Sequence, residues 1–181
     1  MALSDIESRL SAIEDKIEIT ELMMRYALGL DTSDPELYAS VFTEDAYLNV
    51  AGVEFTGHKT IKDMIAGFRN RNDFSNRVPD PHGLIFGPVR HVVTNLIMNI
   101  KGEEATAESY SIEIASGGRN EKGQGQFQKI INVCRYQDDL TKRSGKWLIS
   151  KRLIIGDLYG KLPPIDMNIW PHTAAPSALS P

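Results

Sequence analysis

The chain has 181 residues, 41% of them hydrophobic and 24% charged, with a formal net charge of −4. That is length enough for one domain with a sizeable core, and the balance is that of an ordinary globular protein, which excludes disorder of the whole chain. No clustered Lys and Arg offer a nucleic-acid face, the lone Cys134 excludes an internal disulfide, and no Cys/His spacing resembles a metal site.

The opening residues Met1 to Glu7 lack the basic and apolar segments of a signal peptide, and no run reaches the ~18 apolar residues of a membrane span. A cytoplasmic location and no membrane partner are expected. From Ser4 to Leu30 the residues Ile6, Leu10, Ile13 and Ile17, then Leu22, Met23, Tyr26, Ala27 and Leu30, recur at three- and four-residue steps, which predicts amphipathic helix. The stripe shifts near Ile17 to Ile19, which predicts a short lead helix before the main one. Asp34-Pro35 supplies an N-cap and a first-turn proline for a short helix over Glu36 to Phe42, stopping at Thr43 to Asp45.

Ala46 to Val50 and Val53 to Phe55 flank Ala51-Gly52 as a small hairpin, and Gly57 to Phe68 carries Ile61, Met64, Ile65 and Phe68 on one side of a third helix. The connection from Asn70 to Pro88 is long enough to be a candidate lid. Next comes Gly87 to Ile100, an apolar strand with a histidine in it. Alternation puts Val89, His91, Val93 and Asn95 on one face and Arg90, Val92, Thr94 and Leu96 on the other. After the turn at Lys101 to Glu104, the strand Ala105 to Ala115 sets Ala105, Ala107, Ser109, Ser111 and Glu113 on one face, a surface of small residues ending in an acid. Gly117 to Gly125 reads as a turn, Phe127 to Tyr136 as a strand, Asp138 to Gly145 as a loop and Lys146 to Ile155 as the last strand, with an irregular Pro-containing tail over 161–181.

Helices followed by hairpin-connected strands predict an α+β fold over residues 1–160: a curved antiparallel sheet wrapped against the N-terminal helices as a cone with an internal pocket. Val92, Leu96, Met98, Tyr110, Ile112 and Ile114 would make its outer face apolar, which predicts a subunit contact. No Gly-rich phosphate loop joins a strand to a helix, so no nucleotide cofactor is expected.

The segments Tyr26 to Asp31, Leu37 to Ala46, Gly57 with Ile61, His91 to Asn95 and Ser144 to Trp147 together resemble the SnoaL-like branch of the NTF2-like superfamily, from about Ile13 to Ile155. Within it the pattern is similar to hexachlorocyclohexane dehydrochlorinase, scytalone dehydratase and bile-acid 7α-dehydratase. The resemblance implies an Asp31–His91 dyad, with Tyr26 and Glu113 in the positions of a pocket tyrosine and a second acid. An arginine expected near the end of the last strand falls on or near Gly156, with Lys151 or Arg152 as substitutes. The resemblance also implies a homo-oligomer, a trimer ahead of a dimer.

A carboxylate beside an imidazole raises its pKa, orients its tautomer and stabilises the imidazolium, so His91 is the expected general base, Asp31 its orienter, and Tyr26 or a protonated Glu113 the donor to a leaving group or oxyanion. That chemistry predicts a cofactor-independent dehydratase or dehydrohalogenase acting on a small apolar cyclic compound. A ketosteroid-isomerase-like isomerase, the non-catalytic small subunit of a ring-hydroxylating dioxygenase and a ligand-binding module are the alternatives. Each residue also has a plainer reading: His91 as a satisfied core histidine, Asp31 as a turn residue, Tyr26 as core, and Glu113 at the solvent end of its strand. His58, His82 and His172 read as surface residues.

Overall fold

The structure, a computed structural model, describes residues 3–69, 86–117 and 128–156. Most of the expected lid (70–85), the turn at 118–125, the 161–181 tail, His82 and His172 lie outside the described residues.

The first helix, α1 (Leu3–Thr32), is continuous, so the expected break near Ile17 is absent. The shift in the apolar stripe is a change of face. Ile19, Leu22, Met23 and Tyr26 are buried against the sheet, whereas Ile6, Leu10, Ile13 and Ile17 lie on the other side of the same helix and are exposed. Asp15 and Glu18 fix the middle of α1 to the sheet. The Trp147 indole N–H donates to Asp15 (2.8 Å), the Trp147 backbone N–H donates to Glu18 (2.8 Å), and Lys142 donates to Asp15 (2.7 Å). Burial pushes the Asp15 carboxyl up, and the bonds from Lys142 and Trp147 outweigh it and hold the pKa below the ordinary value.

α1 ends where Ser33 enters the left-handed region (φ 51) and the N–H groups of Ser33 and Asp34 turn back to Leu30 and Gly29. Asp34 then accepts from the N–H groups of Glu36 and Leu37, capping α2 (Pro35–Ala39). The close packing of the two helices depends on Gly29, where an added Cβ would lie 2.7 Å from the Tyr38 nitrogen.

Helix α2 stops at Ala39 rather than Phe42, because Val41 already accepts from Ile149 and Phe42 starts β1 (Phe42–Val50). The turn Ala51-Gly52, with both φ positive, joins it to β2 (Val53–Thr56) as the sequence predicts. His58, expected in a surface loop, opens α3 (His58–Arg69) and is half-buried. Four long strands follow: β3 (Phe86–Lys101), β4 (Glu104–Gly117), β5 (Gln128–Arg143) and β6 (Lys146–Gly156). Residues 138–143, expected in a loop, extend β5, because a two-residue turn at Ser144-Gly145 suffices to reverse the chain.

The six strands form one curved sheet in the order β2-β1-β6-β5-β4-β3 with the helices on its inner side, an α+β arrangement as expected. Every neighbouring pair is antiparallel except β1 and β6, which run parallel.

Two irregularities decide which side chains face inward. In β3 the register slips between Thr94 and Ile97, with Asn95 at φ 55, so inward Val93 is followed by inward Leu96, Met98 and Ile100. Asn95, expected beside His91, is exposed, and Leu96 and Met98, expected on the outer face, pack against the core. In β6 Ser150 is the extra residue opposite Asp139–Leu140, and the inward series passes from Trp147 and Ile149 to Arg152 and Ile154. Ala105, Ala107, Ser109 and Ser111 of β4 all face inward, in the phase the sequence predicts.

Candidate active site

The last turn of α1 and the first half of β3 meet at one carboxylate. Asp31 Oδ1 lies 2.6 Å from His91 Nδ1, and the backbone N–H of His91 donates to both carboxylate oxygens, at 3.0 and 3.3 Å. One helix residue thereby fixes the strand backbone and the imidazole ring together. With Nδ1 engaged, Nε2 is the nitrogen left to act.

Glu113 sits directly opposite His91 in the β3–β4 register, so both project from the inner face as a cross-strand pair. Its Oε1 is 3.7 Å from His91 Nε2, beyond a direct hydrogen bond. On the next strand Asn132, paired in register with Glu113, donates to Glu113 Oε1 at 2.9 Å, and the Cys134 thiol lies 3.6 Å from the same oxygen. The side chains of His91, Asp31 and Glu113 are 9%, 12% and 18% exposed. Asn132 and Cys134 were not singled out in the sequence, although their even-numbered alternation in β5 with Tyr136 and Asp138 marks them as inward-facing.

Burial alone would lower the His91 pKa, but the hydrogen bond to Asp31 and the negative charges of Glu113 and Asp31 outweigh it and raise the value to about 9. Burial likewise pushes Glu113 up, and His91 with Asn132 reverses that and holds it below the ordinary carboxylate value. At neutral pH the pair is therefore imidazolium and carboxylate. These shifts run opposite to the roles read from the sequence, favouring a carboxylate at Glu113 and a proton on the imidazole.

Tyr26 is not part of this group. It is fully buried beneath α2, with its hydroxyl accepting from Tyr38 (3.1 Å) and its ring edge-on to Tyr136 (5.7 Å). Tyr136 is two residues along β5 from Cys134, ~7 Å away in an extended strand, and among the described residues the hydrogen bonds and ion pairs of His91, Asp31 and Glu113 do not include Tyr26. Burial raises the pKa of Tyr26. The plainer reading of Tyr26 as a core residue is the one the structure supports.

Of the two substitutes for the arginine expected near Gly156, Lys151 is exposed and Arg152 is wholly buried. Arg152 makes a two-pronged ion pair with Asp138 (Nε 2.6 Å, Nη2 2.7 Å), its guanidinium carbon lies 3.9 Å from the Tyr26 ring centre and 4.6 Å from that of Tyr136, and Nη1 has no partner. Asp138 and the rings hold its pKa above the ordinary value against burial. The pair is a charged core element whose Asp138 lies six residues along β5 from Asn132.

Among the described residues, a depression of about 550 Å³ is lined by outward-facing Ile97, Thr106, Glu108, Gln137 and Leu153, away from His91. No described helix is long and apolar enough to cross a membrane, and among the described residues no His, Cys, Asp and Glu group has the arrangement of a metal site.

No curated protein matches the chain. Solved structures match it well in fold at low identity. An NTF2-like protein with a cystatin-like fold from Novosphingobium aromaticivorans is 21% identical over 88% of this chain and 93% of its own, with a TM-score of 0.68. A proposed scytalone dehydratase from that organism is 22% identical over 80% and 85%, with a TM-score of 0.60. The beta subunit of a proposed aromatic-ring-hydroxylating dioxygenase, again from that organism, is 18% identical over 81% and 92%, with a TM-score of 0.61. These likenesses concern the fold. The SnoaL-like domain model matches residues 11–153, a span that runs from the middle of α1 through Asp31, His91 and Glu113 into β6, and on that match the chain belongs to the SnoaL-like domain family.

Proposed function

We propose that this chain is a cofactor-independent lyase that removes water or halide by β-elimination from a small apolar cyclic compound, using His91 and Glu113 as an acid–base pair. The observation that carries the reading is the pair itself: a proton donor and a proton acceptor 3.7 Å apart on one inner face, in opposite protonation states at neutral pH. Glu113 takes a proton from carbon, the electron pair of that C–H bond becomes the new double bond, and the departing hydroxyl leaves as water with the proton of His91 Nε2. The proton on Glu113 then returns to Nε2 and restores the resting pair. Acid and base on one face suit a hydrogen and a leaving group on the same side of adjacent carbons, a syn elimination. Asp31 stabilises the imidazolium and fixes its orientation.

The inner face that carries the pair is otherwise built of small and apolar side chains, Ala105, Ala107, Ser109 and Ser111 of β4 among them, which suits an apolar ring rather than a charged substrate. An isomerase uses the same first proton transfer and returns the proton to another carbon; the Nε2–H donor beside the acceptor favours departure of a leaving group instead. A purely structural subunit has no need of a helix carboxylate bonded to a strand imidazole, which counts against the small-subunit and binding-module readings.

The test is a screen of apolar cyclic alcohols and halides for elimination, with the rate followed against pH for the substrate found. Elimination whose rate falls as pH rises through about 9 supports His91 as donor. A rate that rises through that value would return the role of base to His91. Turnover unchanged in both His91→Ala and Glu113→Gln would overturn the acid–base reading.

A further inference from the structure

The outward stripe of α1 is the largest feature of the chain that the proposed chemistry leaves unused. Leu3, Ile6, Leu10, Ile13, Ile17 and Met24 all lie opposite the face that meets the sheet, with exposures from 45% at Ile6 to 76% at Leu3. Their steps of three and four residues set Leu3, Leu10, Ile17 and Met24 at one heptad position (a) and Ile6 and Ile13, followed by Thr20, at the other (d), over three heptads. Roughly 600 Å² of these six side chains stands open on each copy, of the order of the ~800 Å² per partner that a specific interface buries.

The charges beside the stripe select the occupant. On one flank stand Glu7, Glu14 and Glu21, and on the other Arg9 and Lys16, the e and g positions of the same heptads. Two such helices running parallel bring Arg9 of one copy to Glu14 of the next and Lys16 to Glu21. Antiparallel pairing brings Glu to Glu and Lys to Arg. Because the sheet is on the far side of α1, copies joined along the stripe carry their sheets outward.

We propose that α1 is a parallel coiled-coil seam through which copies of this chain assemble. Leu at a with Ile at d over the first two heptads favours more than two strands, so the expected assembly is a trimer or tetramer. This seam is separate from the outer sheet face and independent of the proposed chemistry.

The experiment is multi-angle light scattering on the full chain, beside Ile13→Glu, Lys16→Glu and the double variant Lys16→Glu with Glu21→Lys. The expected wild-type mass is three or four times the 20.2 kDa of one chain, falling to the single chain in Ile13→Glu. Since Ile13 is exposed, the fold persists, which an unchanged His91 NMR titration would verify. Lys16→Glu is expected to weaken assembly several-fold, and the added Glu21→Lys to restore it. A wild-type mass of one chain, which would leave the stripe to another occupant such as residues 157–181, overturns the proposal. So does an assembly that Ile13→Glu leaves intact, or one that Lys16→Glu strengthens, the mark of antiparallel helices.

Discussion

Asp31 bonds His91 twice over, accepting from its backbone N–H and contacting its ring Nδ1 at 2.6 Å, so the helix that ends at Thr32 and the strand that carries the histidine are held by the group that sets its protonation. Position and electrostatics cannot be separated at this contact. NMR titration of His91 is expected to give a value near 9 in the wild type and a lower one in Asp31→Asn, assigned by comparison with His91→Gln. A wild-type value at the ordinary 6.5, unchanged in Asp31→Asn, would remove the coupled pair.

The same shift predicts how stability depends on pH. The folded-state value of about 9 lies above the unfolded 6.5, so the contribution of the His91 charge is fully present below pH 6.5 and is lost as pH rises through about 9. It amounts to at most about 3 kcal/mol. Glu113, held below its unfolded 4.5, contributes above that pH and loses its contribution as pH falls through the folded value. Urea denaturation from pH 6 to 10 should show the gap between wild type and His91→Gln closing on the alkaline side.

Asn132 donates to the Glu113 oxygen that lies nearest His91, and its removal leaves that carboxylate with one donor fewer. Asn132→Ala is expected to raise the pKa of Glu113 and to shift the acid limb of a pH–rate profile upward. The His91 variants are expected to lose roughly 10²–10⁴ in kcat, the usual worth of positioned proton transfer. An acid limb that stays in place in Asn132→Ala would show that Asn132 does not act through Glu113.

Breaking the Arg152–Asp138 pair should be severe. Asp138→Asn leaves a guanidinium buried between two tyrosine rings without its countercharge, with an expected loss of roughly 3–5 kcal/mol. Replacing both partners with apolar residues, as in Asp138→Leu with Arg152→Met, should recover much of it. Thermal unfolding of the single and double variants separates the uncompensated charge from lost packing.

Gly29→Ala tests the contact between α1 and α2. Alanine favours helix, but its Cβ would meet the Tyr38 backbone at 2.7–2.8 Å, where neither partner can give way cheaply. A loss of about 1–3 kcal/mol is expected from urea denaturation.

Much of this was legible in local pattern. The inward face of β4, the cap at Asp34 and the hairpin at Ala51-Gly52 follow from alternation, a capping side chain and turn chemistry, all of which act between residues close in the chain. His91 and Glu113 were legible as candidates because ionisable groups on inward faces demand partners, and Asp31 through the resemblance to the SnoaL-like family.

Where the reading failed, the cause was long-range. An apolar stripe says that a helix has such a face, not which neighbour covers it, and so one helix with two faces read as two helices. A single residue of slip at Asn95 reversed the rest of β3, because strand side chains alternate with a period of two. The amino-acid sequence by itself determined the elements and the candidate residues. Only the tertiary structure decided that Tyr26 is packed among Tyr38, Tyr136 and Arg152, and that His91 stands between the carboxylates of Asp31 and Glu113, since strand register, burial and the distance between carboxylate and ring exist only once remote segments meet.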